Sequence, residues 1–444
     1  MNKEFHKKQN FFSFSDIDSE RKDRIMKFTS TEATPAPHVP PGVLRLTGAA
    51  KEDIPMYRIQ TMNKISPVGL NRFPSELYEV GDAVQDPQGI LVRSAKLLDL
   101  EFNPSLLAIA RAGVGVNNIP LDRCAAAGIP VFSTPGAHAN AVKELVICAM
   151  LMGSRDIPGA IRWVREQAAS GVDVSTVVEK GKSAFIGPEL YKKTLGIIGL
   201  GAIGSIVANT AISLGMDVYG YDPFLSVDTA LRLDRHVHVV KDINDLYKRS
   251  DYITMHIHYT EKTARMIDAS AIAAMKRGVR VINLARGEIV DDEAMLTALD
   301  TGMVAAYITD FPNNRLLTAP HVIAMPHLGA STPESEQNCA AMAVDTLRDY
   351  LESGNIRSSV NLPEMTMDRS GVQRLCVLHK NVPGMLANIT SLFGRDGVNV
   401  ENLSNKSRGD YAYTMVDLGS KVGDNVIEDV RRTANVIRVR SLEW

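Results

Sequence analysis

Cysteine is scarce in this chain and widely spaced. The four residues, Cys124, Cys148, Cys339 and Cys376, form no CxxC and no close pair. That argues against a disulfide framework and against a zinc cluster, and no metal site is expected. Four small buried hydrophobes in a reducing compartment are the expectation instead. A surplus of either charge is missing too. Lys and Arg number 49 against 51 Asp and Glu, a net charge of −2, so no global basic field recruits nucleic acid or an acidic membrane. Long uninterrupted apolar runs are also lacking. The N-terminus, "MNKEFHKKQNFFSFSD", has no apolar core of a secretory signal. The stretch nearest to a membrane span, "TLGIIGLGAIGSIVANTAISLGM", carries its glycines in a strand–turn–helix pattern. These readings predict a cytoplasmic protein that engages neither membrane nor nucleic acid.

At 444 residues, 45% hydrophobic and 23% charged, the chain has a globular composition and room for two or three domains. Residues 1–54 differ from the rest. "SERKDR" and then "TSTEATPAPHVPPG" cannot bury much apolar surface, and predict a largely flexible extension. Ordered folding is expected from "MYRIQTMNKIS" onward. Short apolar strands ("GILVRSA", "LLAIARAG", "GIPVFSTP") precede a long helix at "NAVKELVICAMLMGSRDI". From Thr194 the alternation is regular, with strands at "TLGIIG", "DVYGYD", "VHVV", "DYITMHI", "VRVINLA", "VAAYITD" and "HVIAMP". Such βαβ repetition predicts an α/β fold with a doubly wound parallel sheet. After a helix at "STPESEQNCAAMAVDTLRDYLESG" and a linker with Pro363, Gln373–Trp444 reads strand, helix, strand, strand, helix, strand. That is the order of a ferredoxin-like module.

"GIIGLGAIG" places Gly199, Gly201 and Gly204 in G-x-G-x-x-G register, after an apolar strand and at the start of a helix. The first glycine allows a tight turn, the second lets backbone approach a pyrophosphate, and the third lets helix pack on strand. Unpaired N–H groups at the helix start face the phosphates. The next strand ends in Asp222, twenty-three residues after Gly199, where a carboxylate can accept both ribose hydroxyls. Pro223 and Phe224 follow it rather than an arginine, which favours NAD over NADP. Ligands of open parallel sheets sit at the carboxyl ends of the strands. Four strands end there in polar residues: His256, Arg286, Asp310 and His327. A guanidinium grips a carboxylate in a planar, bidentate way. An imidazole can take a hydroxyl proton near neutral pH, and an aspartate can accept from a carboxamide. Together these residue types predict hydride transfer between NAD and a 2-hydroxy acid.

"GLGAIG", "YDP", "VINLARGEIVDDEAM" and "PHLGAST" resemble the D-isomer-specific 2-hydroxyacid dehydrogenase family, over roughly Met56–Gly354. "LVRSA", "RAGVGVNNI" and "STPGAHANAVKE" are similar to the members of that family that oxidise 3-phospho-D-glycerate, and the tail, with "LHKNVPGMLANI" and "DGVNV", resembles an ACT domain. The resemblance implies a split flavodoxin-like substrate domain (55–153 and 333–355), a Rossmann-type NAD domain (154–332) and an ACT regulatory domain (372–444). It implies Arg286 as the carboxylate grip, His327 as acid/base, Asp222 on the adenosine ribose and Asp310 on the carboxamide. Ala202, Ile203, His256, Ala285, Gly329 and Ala330 complete the implied cofactor contacts. Ser94, Val114 and Gly115 would line the substrate carboxylate, with Arg93 and Arg111, and more weakly Arg155, near a substrate phosphate. His379, Asn381 and Asn399 match residues that bind L-serine between paired ACT modules; an oligomerisation sheet without ligand is the alternative. A homodimer through the nucleotide domains, or a homotetramer, is implied as well. The implied reaction is the NAD-dependent oxidation of 3-phospho-D-glycerate to 3-phosphooxypyruvate, the entry to serine synthesis.

The chain also departs from the family pattern. Asn117 stands where Asp is usual, and His258 where Pro is usual. Family members put a glutamate a few residues past the Asp310 position to pair with the catalytic histidine. Here that loop is shorter and reads "FPNNR", with no acid between Asp310 and His327. Glu334 and Glu336, after Pro333, are expected to point elsewhere, which leaves Asn313, Asn314, a carbonyl or water to orient His327. Two alternatives follow: a relative acting on another 2-hydroxy or 2-oxo acid, and an NAD-binding sensor that has lost catalysis.

Overall fold

The computed structural model describes residues 56–444; the extension expected over 1–54 lies outside the described residues. The first sheet holds β1 (Tyr57–Met62), β2 (Tyr78–Gly81), β3 (Gly89–Val92), β4 (Ala108–Arg111) and β5 (Val131–Phe132), all parallel, in the order β2-β1-β3-β4-β5. This is the flavodoxin-like winding that was expected. Its central strands β3 and β4 read as near-continuous apolar runs because helices or chain cover both faces.

The second sheet holds β6 (Thr194–Ile198), β7 (Asp217–Tyr221), β8 (Val237–Val240), β9 (Tyr252–Met255), β10 (Val279–Asn283), β11 (Val304–Thr309) and β12 (Val322–Ala324). Its order, β12-β11-β10-β9-β6-β7-β8, is parallel throughout and reverses direction between β6 and β9. That reversal is the switch point of a Rossmann winding, where two neighbouring strand ends leave a crevice.

Helix α1 (Ala139–Arg155) crosses between the sheets, and its packing bears on an expected boundary. Val142, Val146, Ala149 and Met150 share one face and bury against the second sheet, in one core with Leu195, Ile197 and Ile308. The helix therefore packs with the second sheet, although the expected division at residue 153 put it with the first. Helices α2 (Ile157–Ala169) and α3 (Val174–Gly181) follow, and neither buries a residue. Helix α4 (Ala202–Ser213) opens directly from the glycine turn.

Helix α5 (Pro333–Ser353) returns the chain to the first sheet. Thr332 caps it, its hydroxyl accepting from Ser335 N–H at 3.1 Å, Pro333 takes the first turn, and Gly354 ends it at φ 76°. Its stripe of Ala340, Ala343, Val344, Leu347 and Leu351 is buried against that sheet.

The tail forms β13 (Gln373–Lys380), α6 (Met385–Arg395), β14 (Val400–Arg408), β15 (Tyr411–Leu418), α7 (Asp424–Arg432) and β16 (Val436–Glu443). The antiparallel order β14-β15-β13-β16 is ferredoxin-like. Leu375, Val377, Val416 and Leu418 face α6 and α7. Cys376, Leu378, Tyr413, Met415 and Leu442 face the other way and join the core of α5. Arg374, with no exposed surface, grips Asp417 with both carboxylate bonds (2.6 and 2.7 Å) and donates to Ser353 O and Met367 O. Linker and tail are thereby sewn to the end of α5.

Candidate active site

The glycine turn sits at the switch point. Gly199 has φ +91°, and a Cβ there would come within 2.6 Å of the His256 carbonyl. A Cβ on Gly204 would collide with the Gly199 carbonyl, while Gly201 faces open space. Each position thus needs its glycine for the reason the spacing predicts. Asp222 ends β7 beside the turn. Its Oδ2 accepts Leu200 N–H at 2.9 Å and its Oδ1 accepts Phe224 N–H at 2.8 Å, so each oxygen keeps a lone pair for a ribose hydroxyl. Among the described residues no cation pairs with it, and a 2′-phosphate would meet a bare carboxylate.

Asp310, at the end of β11, is 1% exposed. Its Oδ2 accepts Gly329 N–H at 2.9 Å, whereas its Oδ1 is buried without any partner. Burial raises its carboxyl above the ordinary range, against the pull of Gly329 N–H and His327. An orphaned acceptor in a closed place is a position awaiting a donor, and a nicotinamide carboxamide would supply one. The residues present fit a dinucleotide.

A cavity of about 240 Å³ lies between the two parallel sheets. Val114, His138, Ala202, His256, Ala285, Arg286, His327 and Ala330 line it. From the substrate side Gly115 comes close to Arg286, whose Nη2 lies 3.8 Å from where a Gly115 Cβ would be. A second cavity of about 360 Å³ adjoins it, sharing Ala330, and Lys64, Arg93, Arg111, Gly113 and Glu336 are among its walls. Arg93 pairs with Glu336 at 2.5 Å, and Arg111 Nε donates to Arg93 O at 3.1 Å. Burial, with Arg93 and Arg286 acting the same way, pulls Arg111 below the ordinary guanidinium value.

Most sequence-predicted site residues therefore meet at one cleft. Five others line neither cavity. Ser94 is exposed, with its N–H tied to Asn63 Oδ1 at 3.1 Å, and it lines neither cavity. Arg155 lies at the far end of α1, on the groove beside Trp163 and Val164. His379 is instead a buried structural histidine, its ring nitrogens at 2.8 Å from Lys380 O and from Thr414 Oγ1. Asn381, beside Gly409, and Asn399, just before β14, stand at opposite ends of their sheet. Among the described residues no cluster of ligating side chains could hold a metal ion.

Two cleft residues escaped the sequence reading. Lys64 follows Asn63, whose φ of 77° turns the chain at the end of β1. His138 stands at the N-cap of α1 without a capping bond, and its imidazole lines the first cavity. Burial, then Arg286, Arg111 and His327, lower its pKa. The signal for His138 was present in "STPGAHANAVKE", an imidazole where a capping amide or hydroxyl would serve better.

Over residues 147–329 the chain matches the family described as D-isomer specific 2-hydroxyacid dehydrogenase, NAD binding domain. It is 35% identical over 326 residues to D-3-phosphoglycerate dehydrogenase of Synechocystis sp., covering 71% of this chain and 56% of that one. It thus spans little more than half the length of that relative. To D-3-phosphoglycerate dehydrogenase of Haemophilus influenzae it is 31% identical over 379 residues, covering 82% of this chain and 88% of the relative. Among solved structures, NAD+-bound 3-phosphoglycerate dehydrogenase of Entamoeba histolytica aligns with a TM-score of 0.53 at 25% identity, over 68% of this chain and 99% of that one. With its glycine turn, its rim of Arg286, Asp310 and His327 and these relatives, the chain belongs to the D-isomer-specific 2-hydroxyacid dehydrogenase family.

Proposed function

We propose that this chain oxidises the C2 hydroxyl of 3-phospho-D-glycerate to 3-phosphooxypyruvate with NAD, the first step of L-serine synthesis. The observation that carries the reading is the basic cavity of Lys64, Arg93 and Arg111 adjoining the cleft of Arg286 and His327. One cation grips the substrate carboxylate while the others face a phosphate at the far end of a three-carbon acid. His327, exposed on the rim, takes the hydroxyl proton and passes it to solvent. Bound NAD supplies the two-electron acceptor. Asp310 holds the carboxamide through its unpartnered Oδ1, and Asp222 holds the ribose. The test is NADH formation with 3-phosphoglycerate against D-glycerate. Preference for the phosphorylated acid supports the reading; equal or reversed preference sinks it. The Arg93–Glu336 pair favours a second reading, another 2-hydroxy acid, because a carboxylate already neutralises one cation. NAD binding without turnover of any 2-hydroxy acid would leave the sensor.

We also infer a homo-oligomer, a dimer or tetramer built through α2 and α3. Ile161, Val164 and Val178 are exposed around an apolar groove there, and a second copy is the natural cover. The tail is read as an ACT module with L-serine as its effector. A serine site would rest on Asn381 and Asn399. These are roughly the length of the nine-residue β14 apart, about 30 Å, so two modules are needed to bring them together. Calorimetry with L-serine tests this, and no heat at millimolar concentration leaves only an assembly role. Four unpaired cysteines fit a cytoplasmic setting. Among the described residues no helix is long and apolar enough to cross a membrane.

A further inference from the structure

Among the described residues no acidic side chain is hydrogen-bonded to the His327 imidazole, although Asp310 is near enough for the two to attract. Among those residues the only hydrogen bond of His327 uses its carbonyl, which accepts from Ser331 Oγ at 3.2 Å. The expected partner Asn313 is engaged elsewhere, and so are the nearby Arg315 and Glu336. Asn313 donates to Asp292 at 2.7 Å, and its Oδ1 accepts Arg315 N–H and Leu316 N–H. Arg315 pairs with Glu293, and Glu336 with Arg93. What lies against the imidazole is Phe311. The two ring centroids are 4.7 Å apart with planes inclined at 48°. The guanidinium carbon of Arg286 stands 5.7 Å from the centroid of the same phenyl ring.

The ring itself is fixed from behind. Phe311 N–H donates to Thr309 Oγ1 at 3.0 Å, and Phe311 Cβ lies 3.3 Å from where a Cβ on Gly287 would be. Asp310, next in the chain, ties this loop to the His327 loop through Gly329 N–H. An aromatic face carries partial negative charge, so a guanidinium and an imidazolium both favour it. Unlike a carboxylate, it captures no ring N–H. One imidazole nitrogen stays free for the substrate hydroxyl and the other for water.

We propose that Phe311 is a positioning residue for both His327 and Arg286, its ring holding the two side chains at a common angle to the substrate in place of a carboxylate partner. This rests on the reading of Arg286 and His327 as carboxylate grip and base. The test compares Phe311→Leu, similar in bulk without a π face, with Phe311→Tyr, which keeps the face. Phe311→Leu should lower kcat about two- to fivefold, the worth of a cation–π contact at a partly exposed site, and raise KM for the 2-hydroxy acid by a similar factor. Its Kd for NAD, read by fluorescence, should stay unchanged, and Phe311→Tyr should restore kcat and KM. An active wild type with Phe311→Leu kinetically identical to it, or Tyr no better than Leu, overturns the positioning role alone. A wild type that binds NAD and turns over no 2-hydroxy acid overturns the functional reading and this role with it. Should Phe311→Leu fold poorly, NMR of wild type decides. The His327 ring signals, identified by their loss in His327→Ala, should carry an upfield ring-current shift; unshifted signals overturn the contact.

Discussion

Burial holds the His256 imidazole down to about 4 from its ordinary 6.5, and burial together with Arg286, Arg111 and His327 lowers His138 as well. Between 4 and 6.5 the folded chain carries fewer protons at His256 than the unfolded chain does. Stability therefore rises with pH across that window and is lost as pH falls from 6.5 toward 4. Replacing His256 by Gln should flatten this response; urea midpoints at about pH 7 and about pH 5 would reveal it. An unchanged pH response would place the effect in other groups. Asp222→Ala should weaken NAD far more than NADP, since it removes a ribose acceptor and a charge that repels a 2′-phosphate; equal weakening would sink that assignment. Glu336 makes the most direct prediction in the basic cavity. Arg93 is bound to it at 2.5 Å, so a substrate phosphate must displace the carboxylate. Glu336→Gln should lower KM for a phosphorylated acid and leave KM for D-glycerate unchanged. At this scale the sequence disclosed the residues whose chemistry demands a type, such as the three glycines, Asp222 and Arg286. Lys64, His138 and Phe311 were hidden because their roles depend on which loops the winding brings together.

At the scale of elements, the seven strands of the second sheet were legible because each is a short apolar run ending in a turn signal. Strand β2 was not: "YEVG" is an edge strand with one buried residue, too short for alternation to register. Helices α2 and α3 are amphipathic, yet neither holds a buried residue. Trp163 of α2 packs on Phe185, yet the apolar stripe around it stays unburied among the described residues, which is a statement about a partner. Changing Val164 to Asp, on the exposed side of α2, should split the proposed oligomer by placing an unpaired charge in its proposed seam. Sedimentation velocity would read the change, and a wild type that is already monomeric at micromolar concentration would dismiss this face as the seam.

Across the whole molecule, the sequence carried the two parallel sheets and the order of the tail. It did not disclose that the tail is pressed onto α5. The trace of it was present in "RLCVLH", apolar at successive positions rather than alternate ones, because β13 is covered on both faces. Arg374 is the test of how firmly that join is made. Arg374→Met would strand a fully buried Asp417, and the loss in unfolding free energy should be about 3–5 kcal/mol. Denaturant titration measures it, and changing Asp417 to Leu as well should recover much of the loss.

Helix α5 begins just beyond His327, carries Glu336 in its first turn, and ends where Tyr413 and Arg440 of the tail donate to the carbonyls of Gly354, Tyr350 and Leu351. Its 21 residues make a rod about 32 Å long. A rod pinned at one end and bearing a working group at the other transmits only two motions, sliding along its axis and rolling about it. A shift of the tail by a fraction of one turn would move Glu336 relative to Arg93. The proposed phosphate site and the tail thus share a single mechanical linkage, and its travel is set by the pitch of one helix.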